Sequence, residues 1–189
     1  MSSAAAEPLV DALPGRLTWR ALPGPVRTVA RWLTVVQVVG YTVALLFVHH
    51  TTGMTPAGAA ARYRGSEGAA GGMGDALADP TGAMAMQFRK SYAEMLTSTH
   101  NHLLGMAAIF AFSGLMLALC PRPGERWRRV LIAEPFVALL VSFSAMWLMW
   151  GVDPRFGWVL VASSTLMALT FYVQSFWILR ELGWREPRT

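Results

Sequence analysis

The stretch RWLTVVQVVGYTVALLFVHH, residues 31–50, decides the fold of this 189-residue chain. After its first residue it carries no Lys, Arg, Asp or Glu. A transmembrane helix needs about 20 such residues to cross a hydrocarbon core roughly 30 Å thick. Three further stretches qualify, so the chain is predicted to cross a membrane four times. The predicted spans cover residues 29–50, 99–119, 130–150 and 157–179.

The composition of the whole chain agrees with a membrane protein. The chain is 54% hydrophobic and 14% charged, and its mean hydropathy is +0.39. This balance is typical of integral membrane proteins and not of soluble domains. The last three predicted spans are joined by short connections, which favour antiparallel neighbours. We therefore predict an all-α integral membrane four-helix up-down bundle with a long outer loop between helices 1 and 2.

The remaining segments follow from these spans. The transmembrane domain is predicted over residues 29–179, between an N-terminal segment (1–28) and a tail (180–189). Residues 1–30 lack a continuous apolar core, so we expect no cleaved signal peptide. The outer loop, residues 51–98, is rich in Gly and Ala and is typical of a flexible linker. Within it, Phe88, Tyr92 and Met95 recur at helical spacing and predict a short interfacial helix leading into the second span.

Basic residues are distributed unequally across the predicted membrane. Eleven of the 16 Lys and Arg residues lie on the side that carries both termini, and five lie on the other side. The positive-inside rule therefore predicts a multi-pass protein of the cytoplasmic (inner) membrane with both termini in the cytoplasm. This topology explains the pI of about 10.1. The predicted partner is the lipid bilayer, and nucleic acid is excluded.

All four histidines are predicted to lie at the outer membrane face. His49 and His50 end the first span, and His100 and His102 open the second. Histidine is the commonest metal ligand, and facing helices of a bundle build cofactor sites from such side chains. One histidine from each helix would ligate a b-type haem. We favour His102 over His100 because its helix face carries the small residue Gly105, whereas the sequence does not separate His49 from His50.

The same region supports other interpretations. Methionines near the histidines favour copper, because thioether and imidazole ligands suit Cu(I). Proton or quinone chemistry is a third possibility, with Glu94 as a carboxylate partner. Histidines that only bring their polar tips to the membrane interface explain the pattern without any ligand. The predicted copper ligands are His50, His102, Met84, Met86 and Met106.

A second polar cluster is predicted toward the cytoplasmic side of the spans. Gln37, Glu134 and Gln174 lie roughly 6–10 Å deep at about 1.5 Å per residue, and Tyr41 lies nearby. An acid at that depth is costly and indicates a functional site, such as a quinone or proton site. The alternative is that Glu134 pairs with an arginine at the interface, and that Pro135 marks the first turn of its helix.

Three short runs resemble a known family. They are RYRGSE (62–67), KSYAEML (90–96) and THNH (99–102). They resemble an uncharacterised bacterial four-span membrane protein family with a K-S-Y-x-E-M-L-x-x-T-H-x-H signature, some of whose members are mislabelled elongation factor-1 alpha. The resemblance covers most of the chain. It implies a membrane protein of unknown activity associated with respiratory or cytochrome systems, and it places His100 and His102 within the signature. It also implies that Tyr63 and Glu94 support the histidines from nearby.

The sequence contains no phosphate-binding loop, H-E-x-x-H or G-x-S-x-G motif, so no catalytic residue is predicted and enzymatic activity stays open. Our leading hypothesis is a small redox-associated membrane protein that binds haem b at the outer face and transfers electrons. A copper-binding or copper-transport protein is one alternative. Another is a non-catalytic accessory or assembly subunit of a respiratory or cytochrome complex.

Overall fold

A computed structural model describes residues 17–65 and 88–183. A short 3₁₀ turn, Trp19–Ala21, precedes five helices in the described chain. Four of the helices are 27 to 29 residues long and apolar enough to cross a membrane. The predicted all-α architecture with four membrane-spanning helices is thus confirmed. The helices are α1 (Gly24–Thr52), α2 (Pro56–Arg64), α3 (Tyr92–Ala118), α4 (Glu125–Gly151) and α5 (Phe156–Leu182).

Helices α3, α4 and α5 form the centre of the bundle and pack as antiparallel neighbours. The Phe110 ring of α3 lies 6.4 Å from the Phe136 ring of α4 and 6.3 Å from the Phe171 ring of α5, measured between centroids. Tyr41 of α1 stacks on Phe171 at a centroid distance of 4.5 Å. These aromatic contacts fix the middle of the bundle and bring α1 against α5 and α3.

Helix α1 is the least enclosed of the four long helices. Its buried residues are Ala30, Thr34 and Tyr41. It packs on α5 and on the short helix α2, and it touches α3 at fewer positions. Near its start, Arg31 donates a hydrogen bond from Nη2 to the carbonyl oxygen of Leu182 at 2.9 Å. The first and last long helices are therefore joined by a direct contact at one end of the bundle.

The two ends of the bundle differ in charge. The arginine end consists of the first turns of α1 and α4 and the last turns of α3 and α5, and it includes Arg31, Arg128, Arg129 and Arg180. The histidine end is the opposite one, where α2 lies. At the arginine end, the buried Arg128 donates from Nη1 to the Cys120 carbonyl at 2.7 Å, which fixes the turn between α3 and α4.

Helix α2 was not predicted, because residues 51–98 were expected to form one long loop. The side chain of Thr55 accepts a hydrogen bond from the Gly58 amide at 3.0 Å, and Pro56 opens the helix. Both residues are recognised helix-start signals. The helix lies very close to the end of α1. A Cβ on Gly58 would overlap the carbonyl oxygen of Thr52, the last residue of α1. The glycine is therefore needed for this close approach.

Helix α3 begins at Tyr92, so the predicted interfacial segment and the second span form one continuous helix. Ser91 caps its start by accepting a hydrogen bond on Oγ from the Glu94 amide at 3.3 Å. Glu94 in turn accepts one on Oε2 from the Ser91 amide at 2.7 Å. This reciprocal capping box stabilises the first turn of α3.

Pro135 lies inside α4, which begins at Glu125, so the prediction that it marks a first turn is wrong. Proline has no N–H, so the carbonyl of Leu131, four residues earlier, lacks its usual helical donor. Gln174 of α5 supplies one, because its Nε2 donates to the Leu131 oxygen at 2.5 Å. The proline and the buried glutamine are therefore two parts of one contact between α4 and α5.

Candidate functional site

The register between α1 and α3 places two histidines at the same depth. The Thr34 hydroxyl of α1 donates to the Met116 sulfur of α3 at 3.3 Å, which aligns these two positions. His49 lies about 22 Å further along α1, and His102 lies about 21 Å back along α3, at 1.5 Å per residue. The two imidazoles are therefore carried at one level, toward the histidine end.

The helical phase separates the members of each pair. Met116, Ile109 and His102 recur every seven residues and share one face of α3, and Met116 contacts α1. His100 is about 160° away from Met116 around the helix. On α1, His49 follows the partly buried Leu45 by one turn. The geometry therefore favours His102 together with His49.

His50 lies on the other side of α1. It is about 180° from Tyr41, the buried residue through which α1 meets α5. The side chains of all four histidines are exposed in the described structure. By helical phase, His49 and His102 lie on the sides of α1 and α3 nearest to the contacts between these helices, and His50 and His100 lie on other sides.

The His102 imidazole is oriented by its own helix. Its Nδ1 donates a hydrogen bond to the carbonyl oxygen of Ser98 at 2.9 Å. In a neutral imidazole, a proton on Nδ1 leaves the lone pair on Nε2. A backbone carbonyl that fixes the ring in this way is the usual arrangement behind a metal-ligating histidine. His102 can therefore offer Nε2 to a metal ion or a haem iron.

Met106 is the methionine best placed to join such a site. It follows His102 by one helical turn and is partly buried. Met84 and Met86, also predicted as copper ligands, lie outside the described residues. Within residues 17–65 and 88–183, no group of three or more His, Cys, Asp or Glu side chains could hold a metal ion. A metal ion bound here would therefore need methionine sulfur ligands, or further ligands that come from outside the protein.

Glu94 and Tyr63 both have local structural contacts at the histidine end. Glu94 is engaged in the capping box of α3. The backbone amide of Lys90 donates to the Tyr63 carbonyl at 3.1 Å, and the Lys90 ammonium lies 5.6 Å from the Tyr63 ring centroid. Burial raises the pKa of Tyr63, and the neighbouring Arg62 opposes that shift. Tyr63 therefore anchors α2 to the segment before α3.

The residues of the second predicted cluster range from buried to partly buried. Tyr41 and Gln174 are both buried. Tyr172 lies edge-on to Tyr41 at 6.1 Å and shares a 2.8 Å hydrogen bond with the Thr42 hydroxyl. Gln37 is partly buried on α1. The cluster thus links α1 and α5 through aromatic and hydroxyl groups at mid-height.

Glu134, the acidic member of this predicted cluster, has an unusual environment. Both of its carboxylate oxygens are buried and have no hydrogen-bond partner within the described chain. The neighbouring basic residues Arg128 and Arg129 both pair with Glu125. The alternative of an interfacial ion pair with either of them is therefore not found. Glu134 also lines a groove of about 400 Å³ between α4 and α5, together with Val137 and other apolar residues.

Four long apolar helices with polar groups at two depths define the class of this chain as a multi-pass α-helical membrane protein. A family model described as a transmembrane helical domain matches residues 53–189. The chain therefore belongs to this family, Aq_1264_TM. The match covers α2 to α5, with His100, His102 and Glu134, and begins after α1. The chain matches no curated protein and no solved structure.

Proposed function

We propose that this protein is a small redox-associated membrane protein that holds a b-type haem between α1 and α3. His102 and His49 are the axial ligands in this proposal. The observation that carries it is the His102 ring, whose Nδ1 is bonded to the Ser98 carbonyl and whose Nε2 is left for a ligand. Haem held by two histidines from facing helices supplies one-electron transfer.

The proposal includes an orientation. Arginines concentrate at the arginine end, and the positive-inside rule assigns that end to the cytoplasm. Both described ends of the chain, near Trp19 and Leu182, then face the cytoplasm. The histidine end faces outward, where an external or periplasmic electron carrier has access. Single cysteines introduced on α2 and near Arg126 test this orientation with a thiol reagent that does not cross the membrane. The cysteine on α2 should react in intact cells, and the one near Arg126 should react only after the cells are opened.

The haem proposal is tested by the reduced-minus-oxidised absorption spectrum of the protein purified in mild detergent from haem-supplemented cells. A low-spin spectrum with sharp reduced α and β bands is expected. His102→Ala and His49→Ala remove it, because each loses one axial ligand. His100→Ala and His50→Ala are matched controls on the same two helices and keep it. A colourless wild-type protein, or equal loss in all four variants, contradicts the proposal.

Copper is a second candidate, and Met106 is the observation that favours it. Its thioether lies one turn from His102 on α3, so two imidazoles and one sulfur could bind Cu(I). Competition with a coloured Cu(I) chelator then gives one bound copper per chain, and Met106→Leu weakens it. Unchanged binding in Met106→Leu contradicts this site. A protein that binds neither haem nor copper favours the accessory-subunit interpretation.

A further inference from the structure

A cavity of about 570 Å³ lies at the arginine end, away from the histidines and from Glu134. It is formed by the segment before α1, the turn after α3 and the last turn of α5. Trp177 and Pro121 contribute its apolar lining. The polar lining consists of Thr18, Arg20, Arg122, Arg180 and Glu181.

The cavity carries a net positive charge. Arg20 pairs with Glu181 through an Nε to Oε1 distance of 3.5 Å, so these two charges offset each other. Arg122 and Arg180 are exposed and have no acidic partner in the described chain. The Arg180 guanidinium lies 5.3 Å from the Trp177 ring centroid. Two guanidinium groups therefore remain to bind an anion.

The walls of this cavity are held by buried contacts. Trp19, next to Thr18 and Arg20, donates from Nε1 to the Met116 carbonyl at 3.0 Å. The Trp19 amide also donates to the Leu119 carbonyl at 3.3 Å. The segment before α1 is thus tied to the end of α3. The two walls that carry Arg20 and Arg122 are positioned before any ligand arrives, which lowers the entropic cost of binding.

We propose that this cavity binds the phosphate head group of an anionic phospholipid. Guanidinium groups recognise phosphate oxygens through paired N–H donors. The cavity lies at the ends of membrane-spanning helices, where phospholipid head groups are, and Trp177 is of the residue type that prefers this level. Basic pockets between membrane helices bind such head groups. This site is independent of the haem and copper proposals.

The test is native mass spectrometry of the full chain in neutral detergent, titrated with phosphatidylglycerol or with phosphatidylcholine. The wild type is expected to bind phosphatidylglycerol at least tenfold more tightly. The double variant Arg122→Gln/Arg180→Gln loses about fivefold in affinity for each guanidinium. The double variant Arg126→Gln/Arg129→Gln is the matched control, because it removes two charges at the same end but outside the cavity. It stays within about twofold of the wild type.

Three outcomes overturn this proposal. Equal binding of the two lipids shows that the head group is not recognised. Equal loss in both double variants shows that general surface charge, and not the cavity, attracts the lipid. Displacement of phosphatidylglycerol by millimolar inorganic phosphate shows that the cavity takes a free anion instead of a lipid. Thermal unfolding of each variant in the same detergent confirms that a loss of binding is not a loss of fold.

Discussion

The structure pairs Pro135 with Gln174, and this leads to a prediction about stability. Gln174→Leu should destabilise the wild type but should not destabilise the Pro135→Ala variant. In the wild type, Gln174→Leu removes the side-chain donor to the Leu131 carbonyl, which Pro135 deprives of its usual helical donor. A buried polar group left without its partner costs about 1–3 kcal/mol. Gln174 also carries a buried Oε1 atom without a partner, and Leu removes that cost. The net destabilisation is therefore about 1 kcal/mol.

Pro135→Ala changes this balance. Alanine restores an N–H at position 135, and that N–H can donate to the Leu131 carbonyl within α4. The Gln174 amide is then no longer required. Gln174→Leu in this background only removes an unpaired buried oxygen, so it becomes neutral or stabilising. The coupling between the two positions is expected to be about 1–2 kcal/mol, near the top of the range for polar contacts in membrane proteins.

Reversible unfolding in mixed detergent and SDS micelles measures all four members of this cycle. Gln37→Leu is the matched control, because it makes the same change at a partly buried glutamine of α1. It should add to Pro135→Ala without coupling. If Gln174→Leu lowers the free energy of unfolding equally with Pro135 and with Ala at position 135, then its cost does not come from the lost hydrogen bond to the Leu131 carbonyl, and the reasoning fails.

Three further predictions concern other buried features. Glu134→Met should raise the free energy of unfolding by about 1–3 kcal/mol, because it removes two unpaired buried oxygens. The SDS unfolding assay measures this change. A lower unfolding midpoint for the variant would show that the carboxylate has a stabilising partner. Gly58→Ala should destabilise by about 1–3 kcal/mol in the same assay through its overlap with Thr52, whereas Gly105→Ala, which meets nothing within 4 Å, should not. Burial raises the pKa of Cys120 to about 11. Maleimide should therefore label Cys120 far more slowly at pH 7.5 in native than in SDS-unfolded protein, and equal rates would contradict its burial.

The spans were predictable because apolar length alone determines them. Residues 130–150, for example, contain one charged side chain, Glu134. A stretch of this length and composition is what a helix needs to cross the hydrocarbon core of a bilayer. The ends of the helices were not predictable from that signal. Helix α4 begins before its apolar part, at Glu125, because the helix continues into the interface. That extension is why Pro135 lies inside a helix and not at its start.

The candidate site was predictable in composition but not in pairing. The sequence predicted four histidines at one level and favoured His102 because Gly105 on its face would permit close helix approach. The structure shows no such approach, because a Cβ on Gly105 meets nothing within 4 Å, and the preference for His102 now rests on the register with Met116. Separating His49 from His50 required the contacts Thr34–Met116 and Tyr41–Phe171, which fix how α1 is rotated. A short helix such as α2 carries little hydrophobic signal, and its start residues stand out only once the neighbouring helix ends are known. The arginine cavity joins three distant segments, so no local pattern reveals it.

The contact between the first and last long helices also bears on how the protein is made. A chain inserted from its N-terminus releases α1 into the lipid before α3, α4 and α5 exist. Only 11% of the most apolar part of α1 is buried, and α5 is the long helix on which it packs most extensively. A lone helix tolerates this wait, because its backbone hydrogen bonds are satisfied within it. Assembly of the bundle therefore includes a lateral docking step in the bilayer, in which α1 meets α5.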